Sequence, residues 1–178
     1  RAVVQAPYLG IGITSRARRL YGASNWTHGR GIAAGGLTLF FAGTLALEDK
    51  GNGYSEGVRR ALYFAHNTTT PGFKIVKRSS DYNGDYLRSL FCAAPLGEGW
   101  GIRLIYAVAF GCIPVLFRSP KGVRKYFDDL LPYDDFSISV TRDQISSLRE
   151  ILESIPSSRI ASLQQGLARY HRYLLWDP

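Results

Sequence analysis

The sequence predicts an α/β domain, a Rossmann-like doubly wound parallel sheet, and three observations carry that prediction. Short runs of aliphatic and aromatic residues recur from Leu37 onward, each closed by Gly, Pro or a polar loop. Helix-period segments alternate with those runs. Glycine-rich stretches fall between a strand and the helix after it. Strands that alternate with helices imply right-handed crossovers and a parallel sheet covered on both faces.

The elements follow in order. Leu37-Thr38-Leu39-Phe40-Phe41-Ala42-Gly43 is a buried strand. Past Gly51-Asn52-Gly53, Ser55 can cap a helix through Val58, Leu62 and Phe64 that ends near Asn67. Phe73 to Lys77 alternates as a second strand, and Asp81 to Ser89 holds a short helical turn. Leu90-Phe91-Cys92-Ala93-Ala94 is the third strand, closed by Pro95. The loop Gly97-Glu98-Gly99-Trp100-Gly101 leads into an apolar helix from Ile102 to about Phe110, which Gly111 stops. Ile113 to Phe117 and Phe136 to Val140 are further strands. Thr141 with Gln144 forms a capping box for a helix striped by Ile145, Leu148, Leu152 and Ile155. A last helix runs from about Ser158 through Leu163, Leu167 and Tyr170. Residues 1–36 fit the alternation poorly and are set apart as a leader or interdomain segment, leaving 37–178 as the domain.

Composition narrows the function. The chain has 178 residues, 22 Lys and Arg against 14 Asp and Glu, and a net charge of +8, so it can bury a core but is too varied for a fibre. Its two Cys cannot replace a core. The longest apolar stretches, Leu37 to Leu47 and Leu104 to Phe117, fall short of the roughly 20 residues a membrane-crossing helix needs. With no leader pattern at Arg1-Ala2-Val3-Val4 and no initiating Met, any anchor is expected upstream of this chain. The positive charge is dispersed, its densest cluster being Arg16-Ala17-Arg18-Arg19, and no nucleic-acid motif accompanies it; no nucleic-acid partner is expected. A smaller anion such as a nucleotide diphosphate, an acidic glycan and a merely solvated basic surface remain open.

Ligands of such sheets bind beyond the carboxyl ends of the strands. Two loops lie there, the one after Gly43 and Pro95 to Gly101. The second sets flexible glycines before a helix start, where free N–H groups and the helix dipole favour phosphate, with Arg103 close by to pair with it. The same loop is also how a parallel sheet turns a corner. His28, His66 and His171 show no metal-ligand spacing, and the acids form no Asp-x-Asp motif, so no metal site and no tightly bound cofactor are assigned. No nucleophile elbow is present.

Ser89-Leu90-Phe91-Cys92-Ala93-Ala94-Pro95-Leu96-Gly97, then Arg103, then Gly111-Cys112-Ile113-Pro114-Val115 resembles the central signature of the exostosin glycosyltransferase family. Val3-Val4 before Pro7, Phe40 to Gly43, and Tyr126-Phe127, Leu131 and Phe136-Ser137-Ile138 match flanking features in the family's order. The resemblance implies the C-terminal, donor-binding half of an inverting GT-B enzyme made of two Rossmann-like domains, with the N-terminal domain not in this chain. It implies a Golgi-lumenal type II membrane protein that moves a sugar from a UDP-sugar to a polysaccharide or glycoprotein glycan. The diphosphate would be neutralised by Arg, Lys and helix N-termini rather than by a metal. A degenerate domain that holds nucleotide or glycan without turnover is the alternative, and the catalytic base stays unassigned.

The resemblance also assigns residues. Arg103 falls at the family Arg that pairs with the donor diphosphate, the other reading being an Arg that caps a neighbouring strand. Gly97, Gly99 and Gly101 would bring N–H groups to phosphate or ribose, or merely form the turn. Arg59 could reach the phosphates from the opposite loop, or lie exposed beside Arg60, and Ser89 could meet the nucleotide or simply end a helical turn. Tyr106 stands where relatives carry an acid for the ribose, one neutral hydroxyl in place of two anionic oxygens. Gly101 stands where many relatives have Ser. Cys92 and Cys112, both at family positions, would form a disulfide. Asn25-Trp26-Thr27 and Asn67-Thr68-Thr69 are glycosylation sequons.

Overall fold

The computed structural model describes residues 11–23, 26–27, 30–31, 34–48, 53–67, 69–97, 101–123, 125 and 127–175. Five strands, β1 (Leu37–Ala42), β2 (Phe73–Val76), β3 (Ser89–Ala94), β4 (Ile113–Phe117) and β5 (Ile138–Val140), form one sheet in the order β2-β1-β3-β4-β5. Every pairing is parallel, with Phe40 opposite Lys74 and Cys92, and Ala93 opposite Val115. The fold is the expected Rossmann-like α/β sheet, and its strand order reverses between β1 and β3.

Helices α1 (Ile11–Gly22), α2 (Val58–His66), α3 (Tyr82–Arg88), α4 (Ile102–Ala109), α5 (Leu148–Glu153) and α6 (Ser157–Leu174) flank it. From β1 the chain steps one way to β2, then back past β1 to β3 and on to β4. Right-handed crossovers therefore put α2 on one face and α3 and α4 on the other. The second face is aromatic: Tyr86 stands edge-on to Phe40 at 5.0 Å and lies against Phe110 at 5.6 Å. A Schellman turn ends α4, with Cys112 N–H on Ala107 O and Gly111 N–H on Val108 O, and Gly111 takes the φ of +67° that this turn demands.

Two elements depart from the sequence pattern. The capping box at Thr141 forms in part, Gln144 Oε1 accepting from Thr141 N–H at 2.9 Å, but it opens a 3₁₀ turn at Asp143–Ile145 before α5 begins. Ile145, Leu148 and Leu152 still supply buried contacts, so burial follows the stripe although the helix is broken. The segment before Leu37 contains α1, which the alternation does not show, and it packs on the same core. Ala17 is buried, Tyr21 Oη donates to Val108 O, and the buried Arg30 binds the carbonyls of Tyr86, Ser89 and Phe110. Arg30 thereby joins the C-terminal ends of α3 and α4, where a cation is favoured.

Candidate functional site

The carboxyl ends of β1 and β3, where the strand order reverses, receive the N-termini of α2 and α4. Neither helix has a side-chain cap, neither carries an acid in its first turn, and each places an Arg at its second position, Arg59 and Arg103. The free N–H groups and positive dipole ends of both helices point at the same edge. Placing cations there runs against the local electrostatics of the helices.

The two arginines reach across the reversal in opposite senses. Arg59, on the helix after β1, donates from Nε to Leu96 O beyond β3 at 2.9 Å and from Nη1 to Thr44 O and Tyr54 Oη. Arg103, on the helix after β3, donates from Nε to Ala42 O at the end of β1 at 2.8 Å. Arg59 is 5% exposed, and its guanidinium is held below its usual range by burial first, with Tyr54 opposing and Arg103 adding to the shift. Among the described residues no carboxylate pairs with either arginine. Two convergent guanidiniums at two uncapped helix starts make a site for an anion with several oxygens.

The turn before α2 is strained. Ser55, Glu56 and Gly57 all take left-handed φ values, 56°, 50° and 73°, at about 1–2 kcal/mol for each of the two that carry a Cβ. Ser55 N–H binds Gly97 O at 3.2 Å and Ser119 Oγ donates to Glu56 Oε1 at 2.8 Å, holding the turn against the β3 loop. Ser55 therefore does not cap α2 as its type suggests; Gly57 holds the cap position, and the buried Ser55 Oγ has no partner among the described residues.

Gly97 lies in the site, where a Cβ would meet Arg59 Nη2 at 3.5 Å, while Gly101 caps α4 with open space around it. Gly99 lies outside the described residues, as do Asn25, Thr68 and Tyr126 of the sequence motifs. Tyr106 sits one turn into α4 below Arg103, its ring 5.6 Å from Tyr82 and 6.0 Å from Phe110. Ser89 is not brought to the site. It begins β3 at the opposite edge of the sheet, fully buried, and its hydroxyl donates to Asp85 O, so it serves to end α3.

Three neighbours belong to the site that the sequence did not single out. Gly43 leaves the space Arg103 fills: a Cβ there would lie 2.8 Å from its Nη2. Tyr82 and Tyr54 place rings under the Arg103 and Arg59 guanidiniums at 5.7 and 5.0 Å. A glycine closing a buried strand was the available signal for Gly43; the tyrosines had none, because their approach depends on how α3 and the left-handed turn lie. Cys92 and Cys112 are bonded, with Cα atoms 5.7 Å apart, tying β3 to the α4–β4 turn. No group of His, Cys, Asp or Glu suited to a metal occurs among the described residues, and no helix of theirs is long and apolar enough to cross a membrane.

Comparison with known proteins adds independent findings. A model of the exostosin GT47 domain matches residues 25–155. An Arabidopsis thaliana protein named a probable glucuronoxylan glucuronosyltransferase is 30% identical over 135 residues, 74% of this chain and 30% of its own length. A probable glucuronosyltransferase of Oryza sativa subsp. japonica is 36% identical over 139 residues, 74% of this chain and 32% of its own. A probable beta-1,4-xylosyltransferase of Arabidopsis thaliana is 34% identical over 125 residues, 68% and 29% of the two chains. The chain thus spans about a third of the length of the curated relatives it matches.

Proposed function

The chain belongs to the exostosin GT47 family, and from that premise we propose that it is the donor-binding half of an inverting glycosyltransferase. It would hold a UDP-sugar whose sugar passes to a polysaccharide or glycoprotein glycan. The observation that carries this is the pair of arginines, Arg59 and Arg103, without a carboxylate partner among the described residues, set at two uncapped helix starts. A nucleoside diphosphate supplies the anion that the pair lacks.

In an inverting transfer the acceptor hydroxyl bonds to the anomeric carbon from one face as the bond to the diphosphate oxygen breaks on the other. The leaving oxygen gains negative charge as that bond breaks. Preorganised cations and helix N–H groups favour that charge over the ground state, which is how this half of the site contributes to rate. The hydroxyl's proton goes to a base outside the groups described. Tyr82 and Tyr106 offer ring faces and hydroxyls beside Arg103 for the nucleoside end of the donor.

The relatives' names include both glucuronosyl- and xylosyltransferases, so the sugar is not fixed by likeness. A Golgi-lumenal location, through an anchor beyond this chain, suits a lumenal disulfide and such relatives. The remaining two thirds of such a protein would hold the acceptor and the base.

The test is calorimetric titration of UDP, with GDP and ADP as controls, against the chain and its Arg103→Ala form. Selective UDP binding weakened at least about tenfold in the variant supports the site; equal binding by both proteins overturns it. A second reading, a domain that binds nucleotide without transfer, is favoured by Tyr106, a neutral ring in an aromatic cluster at an acid position. Transfer by the full-length protein from a UDP-sugar excludes that reading.

A further inference from the structure

We propose that the cavity beyond β1 and β2 is the subsite for the donor's sugar, and that it is built for a neutral ring rather than a uronate. The inference rests on the donor-site reading above. The cavity has a volume of about 330 Å³ and is lined by Thr44, Leu45, Ala46, Leu47, Glu48 and Lys77. That is near the small end for small-molecule sites, with room for one sugar ring.

Position ties it to the diphosphate. Thr44, which lines the cavity, also gives its carbonyl to Arg59 Nη1 at 3.2 Å. A group bonded to a phosphate on Arg59 therefore has this cavity as its neighbour. The β1 loop is held to shape there by Ala46, whose φ of 48° a non-glycine residue adopts only under constraint.

Chemistry names the occupant. Leu47 is 37% exposed at the cavity, apolar surface suited to the C–H face of a sugar ring. Glu48 brings two acceptor oxygens, Lys77 three donors, and Thr44 a hydroxyl that does both. Neither Glu48 nor Lys77 has an ion-pair partner among the described residues. A carboxylate with open lone pairs wants hydroxyl donors, such as the ring diols that neutral and acidic sugars both supply; what sets a uronate apart is its C6 carboxylate, which has no hydrogen to give. The Glu48 charge also repels a uronate, offsetting what Lys77 offers it. The relatives named glucuronosyltransferases would differ from this chain in that respect.

The test compares UDP, UDP-xylose, UDP-glucose and UDP-glucuronate on the 178-residue chain, its Glu48→Gln and Lys77→Met forms, and Arg103→Ala. Expected are UDP affinities within twofold across the parent, Glu48→Gln and Lys77→Met, and a preference for the neutral sugars over UDP-glucuronate of about tenfold in the parent. Glu48→Gln should shrink that preference to about twofold, and Lys77→Met should weaken the neutral sugars several-fold. UDP binding without that preference, or with a preference unmoved by Glu48→Gln, overturns the sugar subsite and leaves the diphosphate site standing. No UDP binding by a folded chain overturns both.

Discussion

Arg30 and Arg59 are buried to a similar degree, 8% and 5% exposed, at opposite edges of the same sheet, and they are treated differently. At the N-terminal edge Arg30 uses four of its five N–H groups. Its Nε binds Trp26 O, Nη1 binds Tyr86 O and Ser89 O, and Nη2 binds Phe110 O, so every hydrogen bond is to a carbonyl and three of the four lie at the negative ends of α3 and α4. Burial lowers its pKa to about 10, still leaving it charged at neutral pH. At the C-terminal edge Arg59 and Arg103 stand on the positive ends of α2 and α4 and bind fewer groups. A cation placed with the local field stabilises the fold. Cations placed against it gain nothing from the helices, and on the donor-site reading proposed above they serve a ligand, a difference that burial alone does not reveal.

The contrast can be broken most directly at Arg30. Arg30→Met keeps an apolar stem and strands three buried carbonyls, which should cost about 3 kcal/mol or more. Urea unfolding measures it, and a loss below about 1 kcal/mol would make Arg30 no more structural than its counterparts. Arg59→Met and Arg103→Met should behave oppositely. Each also relieves an unfavourable dipole contact. Arg103→Met strands only the part-buried Ala42 O and should keep stability within about 0.5 kcal/mol. Arg59→Met strands the buried Leu96 O and should cost about 1 kcal/mol. UDP affinity should fall about ten- to a hundredfold in both. Large destabilisation by either would place that Arg with Arg30.

Gly43 sharpens the comparison. In Gly43→Ala the new methyl would sit 2.8 Å from Arg103 Nη2, the far end of a flexible side chain. The methyl would also sit 3.3 Å from Arg103 Nε and from the buried Phe41 ring, so UDP affinity should drop several-fold while stability falls by about 1 kcal/mol. Unchanged UDP affinity would mean that the placement of Arg103 seen here does not matter to binding.

Much of the C-terminal edge was legible because its signals are local. A run as short as Leu39 to Ala42, rich in aromatics and closed by Gly43, reads as a buried strand, and Gly111 after an apolar helix reads as its stop. Arg103 and Gly97 follow from a loop placed before a helix. The N-terminal edge was not legible, because what makes it is tertiary. Nothing near Arg30 in sequence reveals that its partners lie 56 to 80 residues away. Ser89 shows both sides of this: of its two sequence readings the local one, ending a helical turn, is what the structure shows, while a nucleotide contact is excluded by its strand beginning at the far edge. The break after Thr141 escaped because a 3₁₀ turn buries the same stripe that a helix would.

The smallest expected effect concerns the N-terminal pole and its pH dependence. His171 on α6 stacks on Tyr21 of α1 at 4.0 Å, and Nδ1 lies 3.0 Å from Ala168 O. Burial lowers its pKa first, the backbone contacts to Ala168 and Leu167 oppose the shift, and Arg172 adds to it. A base whose folded pKa is depressed binds its proton less readily folded than unfolded. Its contribution is therefore complete above the unfolded value of about 6.5 and is lost as pH falls from there through the lowered folded value. The urea midpoint should decline between about pH 7.5 and 5.5. His171→Phe, which keeps a ring against Tyr21 and cannot titrate, should flatten that decline without moving UDP affinity at neutral pH. An equal slope in both proteins would assign the pH dependence elsewhere.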